Sequence, residues 1–203
     1  MDAITCSCSY TVAAEWSIKL ASATHKRHDA YTVLHSRAVG RLASVIGMQM
    51  DLSAEVVWLL DLAGLVHDIG KIEVPRYIIE KPGSLTTEEF EIVKTHADAG
   101  YRILSELPGP WPIAEIARQH HERLDGSGYP RGLKGPEILL EAQILAVADV
   151  TESMLSRRPY RPAHSLDNVM EVIRKLRGDK LNSDAVDACI CLFTEKDYML
   201  TSN

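Results

Sequence analysis

Five of the eight histidines and two aspartates fall into a regular series: His35, His67-Asp68, His96, His120-His121 and Asp149. From 35 to 67, 68 to 96, 96 to 120 and 121 to 149 the steps are 32, 28, 24 and 28 residues. Each step is about the length of one helix plus one connection, so successive helices of a bundle could present one ligand group each at a shared level. Apolar residues elsewhere recur at three- and four-residue spacing, and strict alternation over a strand's length is scarce, which predicts α-helices almost throughout. The fold class expected is all-α, a helical bundle with a metal centre in its core.

The spacing predicts helices over about 13 to 24 and from near Asp29 to about Met48. A third follows the cap Ser53, carries Val56, Val57, Leu59, Leu60, Ala63 and Val66 inward, and is stopped by Gly70. Glu73 to Ser84 reads as a loop because of Pro75, Pro82 and Gly83. Thr86 and Glu89 fit a capping box, opening a helix expected to reach about Leu107. After a short break at Pro108 to Pro112, the next helix ends near His121. Arg123 to Pro136 is irregular, with four glycines and two prolines, and so long a loop inside a compact helical domain is more often functional than accidental. Helices over about 137 to 156, 165 to 177 and 183 to 195 complete the chain.

Charge and apolar runs narrow the partners. With 22 Lys and Arg against 28 Asp and Glu the net charge is -6, the wrong sign for coating nucleic acid through the whole surface. An anionic substrate must be met by a local basic patch, and no DNA partner is expected. Asp61 interrupts the most hydrophobic segment, Val56 to Val66, which is far shorter than a membrane span. No membrane partner is expected, and the start of the chain lacks the pattern of a secretory signal, so the expected location is cytoplasmic. Cys6/Cys8 and Cys189/Cys191 form two Cys-x-Cys pairs. On a helix, residues i and i+2 point to nearly opposite faces, so reduced structural thiols are expected there rather than a chelating pair.

His67 and Asp68 carry the strongest local argument for a metal. They follow the apolar run Leu59 to Val66, so two ionisable groups would be buried at a helix end, at a cost of several kcal/mol unless compensated; a cation is the simplest resolution. Adjacent helical side chains diverge by about 100°. The pairs His67-Asp68 and His120-His121 therefore fit a centre that is broad, lies at a helix end or holds more than one ion, and two metals suit this better than one. Imidazole suits Fe, Mn, Zn and Ni, and an aspartate can bridge two ions. His25, His28 and His164 lie outside the series and are expected at the surface.

These motifs resemble a known family. His67-Asp68-Ile69-Gly70-Lys71 resembles the HD signature of metal-dependent phosphohydrolases. His120-His121-Glu122-Arg123-Leu124-Asp125-Gly126-Ser127-Gly128-Tyr129-Pro130 resembles the extended motif of the HD-GYP subfamily. The similarity continues in Tyr31-Thr32 before His35-Ser36, in His96 followed by Gly100-Tyr101, in Ala148-Asp149-Val150 and in Arg158-Pro159-Tyr160-Arg161-Pro162. It covers roughly residues 28 to 195 in the family's order, and divides the chain into an N-terminal helical extension, 1–27, and an HD-GYP domain, 28–203.

The resemblance implies a phosphodiesterase that hydrolyses cyclic di-GMP to linear pGpG, with GMP as a further product. It implies His35, His67, Asp68, His96, His120, His121 and Asp149 as metal ligands, with Asp68 the bridge. It implies Lys71, Asp68 and Glu152 in catalysis, and Lys71, Arg158, Arg161 and Tyr129 in substrate binding. Members with a three-metal centre carry a glutamate where this chain has Tyr31, which points to two divalent ions, iron or alternatively manganese. Glu152 replaces the aspartate of many relatives and lengthens the reach of that carboxylate; Thr151 replaces an aromatic residue.

The chemistry expected is in-line attack on phosphorus by a hydroxide bridging the two ions. Lys71 would contact the same phosphate, and the guanidinium forks of Arg158 and Arg161 the non-scissile one, which favours a dinucleotide. Arg123, Arg131 and Lys134 either add positive potential or form a solvated loop face. Tyr129 either stacks on a base, anchors its loop or faces a protein partner, a diguanylate cyclase or a regulatory protein. A broader phosphohydrolase, or a catalytically weak module that binds a cyclic dinucleotide as a scaffold, is the alternative; the retained ligand set favours an active enzyme.

Overall fold

The structure is a computed structural model that describes residues 30–107, 109–156, 163–196 and 198–200. The helix expected over 13 to 24, the first cysteine pair, His25, His28, Arg158 and Arg161 lie outside the described residues. Among the described residues the chain is all-α: α1 (Ala30–Gln49), α2 (Ala54–Val66), a 3₁₀ turn (Ile69–Glu73), α3 (Arg76–Ile79), α4 (Thr87–Lys94), α5 (His96–Ser105), α6 (Ile113–Gln119), a second 3₁₀ turn (Gly135–Glu137), α7 (Leu140–Leu155), α8 (Leu166–Leu176) and α9 (Ser183–Glu195).

The core is built from apolar stripes at helical spacing. Val39, Leu42, Ala43 and Ile46 of α1 pack with Leu59, Leu60, Ala63 and Val66 of α2 and with Ile144, Leu145, Val147 and Ala148 of α7. Val56 and Val57, expected inward, are half-buried: Val56 packs against the core, and Val57 faces α1, where a Cβ on Gly47 would stand 3.7 Å from its Cγ2. The α1–α2 crossing is close: a Cβ on Gly64 would stand 2.2 Å from the Cα of Gly40. The backbones touch there, which brings the two helices carrying His35 and His67 to one depth.

Helix ends follow the local chemistry. Ser53 accepts a hydrogen bond from Val56 N and caps α2, and Thr86 with Glu89 forms the reciprocal capping box of α4. Three expectations are corrected. The helix opened by Thr86 does not run to Leu107; it breaks at Thr95, whose hydroxyl donates to the Ile92 carbonyl at 2.7 Å. That bond competes with the helical ladder, and His96 starts a new helix. The Glu73 to Ser84 segment is not all loop, because Pro75 precedes the single turn of α3 and its fixed φ suits a helix start. Gly70 does not end α2, which stops at Val66; it lies in the following 3₁₀ turn, where a Cβ would stand 1.9 Å from the His96 carbonyl oxygen and 2.4 Å from Gly100 N. Gly70 is thus the contact point between the 3₁₀ turn and α5.

The second cysteine pair behaves as two unrelated side chains: Cys189 is fully buried in the core, while Cys191 is partly exposed one face away. No helix among the described residues is long and apolar enough to cross a membrane.

Candidate metal centre

Four separate elements deliver the histidines, and three of the rings are aimed by the same device. His67, His96 and His120 lie immediately after the C-terminal turns of α2, α4 and α6, where backbone carbonyls have no intrahelical partner. Each ring donates Nδ1–H to the carbonyl three residues earlier: His67 to Gly64 at 2.7 Å, His96 to Val93 at 2.7 Å and His120 to Ala117 at 2.6 Å. A carbonyl can only accept, so the proton is on Nδ1 and the lone pair on Nε2 points inward. His35 reaches the same point from α1, and its Nδ1 faces Glu152 Oε2 instead of a carbonyl.

Asp68 sits between two groups of donors. Its Oδ1 is 3.4 Å from His96 Nε2 and 4.0 Å from His120 Nε2, and its Oδ2 is 3.3 Å from His67 Nε2 and 3.7 Å from His35 Nε2. Asp149 on α7 completes the second side, with Oδ1 3.3 Å from His35 Nε2 and 4.0 Å from His67 Nε2. Asp68, His96, His120 and His121 form one set of donor atoms all within 4.8 Å of one another, and His35, His67 and Asp149 form another. The structure therefore brings together all seven residues expected as ligands, in two groups that share one carboxylate.

The donor set fits cations. His67 Nε2 and Asp68 Oδ1 are buried with no hydrogen-bond partner, an arrangement that is costly unless a positive charge stands between them. Burial pushes the His96 imidazole down and holds those of His120 and His121 well below their ordinary value, reinforced for the latter two by neighbouring rings. Burial alone would raise Asp68 and Asp149; Lys71 and the imidazoles outweigh it for Asp68, and His35 for Asp149, so both stay well below the usual carboxylate range. Neutral imidazoles beside ionised carboxylates are what a divalent first-row metal requires. His35 differs: burial would lower it, but the hydrogen bonds to Asp149 and Glu152 raise it to about 9.

The remaining expected residues surround this centre. Lys71 in the 3₁₀ turn places Nζ 2.5 Å from Asp68 Oδ2 and is about a quarter exposed. Tyr129 lies over the centre, its ring centroid 4.6 Å from that of His121 and 6.3 Å from that of His96. Burial and the nearby Asp68 and Asp149 push its phenol upward, so it is a neutral donor. Glu152, one turn beyond Asp149, is buried; besides facing His35 it accepts a hydrogen bond from Ser156 Oγ through Oε1. Arg123 turns its guanidinium onto the His120 and Glu122 carbonyls, and Arg131 pairs with Glu115, so both brace the loop. His164 is half-buried.

Glu122 had no role assigned from sequence. It is 2 % exposed, and its two oxygens accept from Arg131 N at 2.8 Å and Leu133 N at 3.0 Å, strapping the glycine-rich loop under the centre. Gly128 allows the close approach: a Cβ there would stand 2.4 Å from the His121 carbonyl oxygen. Phe90 and Lys94 of α4 were also not singled out; their rings and charge lie beside Tyr129. A large aromatic on an otherwise acidic, exposed helix was the available signal.

A family model for the HD domain matches residues 15–184. The chain is 45% identical over 169 residues to a cyclic di-GMP phosphodiesterase of Thermotoga maritima, spanning 82% of this chain and 46% of that protein. It is 40% identical over 174 residues to the cyclic di-GMP phosphodiesterase response regulator RpfG of Xanthomonas campestris (85% and 46%), and 39% identical over 161 residues to a 3′3′-cGAMP-specific phosphodiesterase of Vibrio cholerae (79% and 37%). The chain thus spans less than half the length of these curated relatives. Among solved structures, an HDG"Y"P protein of Bdellovibrio bacteriovorus aligns with a TM-score of 0.68 at 15% identity, covering 92% of this chain and 62% of that one. The HD domain of the L. monocytogenes phosphodiesterase PgpH aligns with a TM-score of 0.58 at 21% identity, covering 83% and 92%.

Proposed function

The chain belongs to the HD domain family and carries the HD-GYP motifs, and from that premise we propose that it is a metal-dependent phosphodiesterase that hydrolyses cyclic di-GMP. Water adds across one P–O3′ ester, giving linear pGpG with a new 5′-phosphate and a free 3′-hydroxyl; a second cut gives GMP. The observation that carries this reading is the Asp68 carboxylate, whose two oxygens face different imidazole groups.

Asp68, His96, His120 and His121 would hold one divalent ion and His35, His67 and Asp149 the other, with Asp68 shared; iron is the proposed occupant, with manganese as the alternative. Such ions, when bound, neutralise phosphodiester charge and lower the pKa of water toward neutrality. The protein's own groups do the rest. Lys71, partly exposed and one turn beyond Asp68, binds the scissile phosphate. Arg158 and Arg161 bind the other phosphate. Tyr129 supplies a neutral phenol donor above the site, and its ring excludes water from that side. Glu152 keeps the proton on His35 Nδ1, which leaves Nε2 facing inward; whether it also moves a proton during turnover is read from the pH profile of Glu152→Gln.

The test is incubation of the full chain, loaded anaerobically with Fe²⁺ or with Mn²⁺, with cyclic di-GMP, followed by chromatography of the products. The expected result is pGpG, lost in His67→Ala and Asp68→Ala. Undiminished turnover in both variants overturns the assignment. The 39% identity to a 3′3′-cGAMP-specific enzyme supports a second reading in which that mixed dinucleotide is preferred; equal concentrations of both substrates in one reaction decide between them.

A further inference from the structure

The donor groups are not sealed evenly. His67 and His120 have no exposed side-chain surface, whereas the side chains of Asp149 and Lys71 are 13 % and 26 % exposed and His121 is partly exposed. The accessible edge of the centre therefore runs along His121, and from His121 a series of rings leads outward. His120 and His121 have centroids 3.9 Å apart, His121 and Tyr129 4.6 Å, and Tyr129 and Phe90 6.2 Å in an edge-to-face arrangement. Phe90 is 43 % exposed, although it is among the largest apolar side chains of a short, acidic helix. Lys94, one turn further along α4, holds Nζ 5.1 Å from the Phe90 centroid and 5.6 Å from that of Tyr129.

An exposed phenyl ring with an ammonium beside it, two ring steps from a ligand histidine, has the chemistry of a nucleotide subsite. A purine has a π-face to stack, and its phosphate has the charge to meet. Lys94 is paired at 2.6 Å with Glu91, itself 61 % exposed. Exposed pairs of this kind contribute little, so a phosphate can take the ammonium from it.

We propose that Phe90 and Lys94 form a specificity subsite for the cyclic dinucleotide: Phe90 stacks the base of the nucleotide that is not being cut, and Lys94 contacts its phosphate. This rests on the reading of the centre as a cyclic-dinucleotide phosphodiesterase. It assigns α4, whose last turn also aims His96 through the Val93 carbonyl, to substrate choice.

The experiment measures binding separately from turnover. Equilibrium dialysis of the full, Mn²⁺-loaded chain against a non-hydrolysable phosphorothioate analogue of cyclic di-GMP gives Kd for the wild type, Phe90→Ala, Phe90→Leu, Phe90→Trp and Lys94→Gln. Phe90→Ala is expected to raise Kd about tenfold, the weak end of base–aromatic stacking. Phe90→Leu keeps the apolar bulk and should not restore affinity, whereas Phe90→Trp should. Lys94→Gln is expected to weaken binding about fivefold. Metal content, measured by elemental analysis, should not change in any of these variants. A Kd for Phe90→Ala within twofold of wild type overturns the subsite and leaves Phe90 as a cover for Tyr129. A wild type that binds the analogue but hydrolyses no cyclic dinucleotide overturns the proposed activity while Kd still judges the subsite; a wild type that does not bind overturns both.

Discussion

Asp68 is the residue on which both donor groups depend, because its two carboxylate oxygens face two different sets of imidazoles. Asp68→Asn keeps the shape and removes the charge. Its metal content, measured by elemental analysis after gel filtration, is expected to fall from two ions per chain to one or fewer, with turnover down at least about 10³-fold. The titrating groups also predict a pH dependence of the metal-free protein. His120 and His121 stay neutral in the fold but take up protons near 6.5 once unfolded, so the unfolded state binds more protons below that pH and stability falls as the solution is acidified. His35 acts in the opposite direction. Raised to about 9, it holds an extra proton in the fold between 6.5 and 9, a contribution present at low pH and lost as pH rises through that window. Urea unfolding at pH 5, 6.5 and 9 should therefore show greatest stability near pH 6.5, and His35→Asn should flatten the alkaline side. All seven residues that converge on the centre were legible because they are chemically unusual for a core. Glu122 was not, since a carboxylate that serves only as a backbone strap leaves the same mark in a sequence as any solvated acid.

At the scale of elements, capping chemistry was legible and contacts between elements were not. Thr86 with Glu89 and Ser53 mark their helix starts correctly because the bonding partners lie three residues away. The break at Thr95 arises from a side-chain hydroxyl choosing a carbonyl that the periodic pattern assigns to the ladder. Gly70 is the sharper case: its meaning lies in α5, some thirty residues downstream, where a Cβ would collide with the His96 carbonyl and Gly100 N. Gly70→Ala should push the 3₁₀ turn away from α5 and carry Asp68 and Lys71 with it. Overpacking of this kind costs about 1–3 kcal/mol. Denaturant unfolding should show that loss, and metal content should fall because Asp68 and His96 no longer converge. Gly83 has open space around it but a φ of 109°, so Gly83→Ala strains its own turn while meeting no neighbour, and metal content should stay unchanged.

At the scale of the molecule, five separate segments meet at one point, and the folded bundle buries polar groups there that a cation would compensate. Metal removal should therefore be a stability experiment as well as an activity one. A ligand present at 100 times its Kd stabilises by about 2.7 kcal/mol, and in a domain of this size each kcal/mol moves Tm by about 2–4 °C. Calorimetry before and after chelation should show a drop of about 5–10 °C, abolished in Asp68→Asn. Overall architecture was legible because helical periodicity and the ligand series agree: α1, α2, α5, α6 and α7 carry buried core residues and hold a donor group within them or at their ends. The tautomer lock at His67, His96 and His120 has a wider consequence. Each ring is keyed to the carbonyl three residues before it rather than to a distant loop, so the donor array is inherited with the backbone. Descendants of such a chain are free to exchange the aromatic and basic residues at the rim, and so change which phosphate ester is cut, without having to reinvent the machinery underneath.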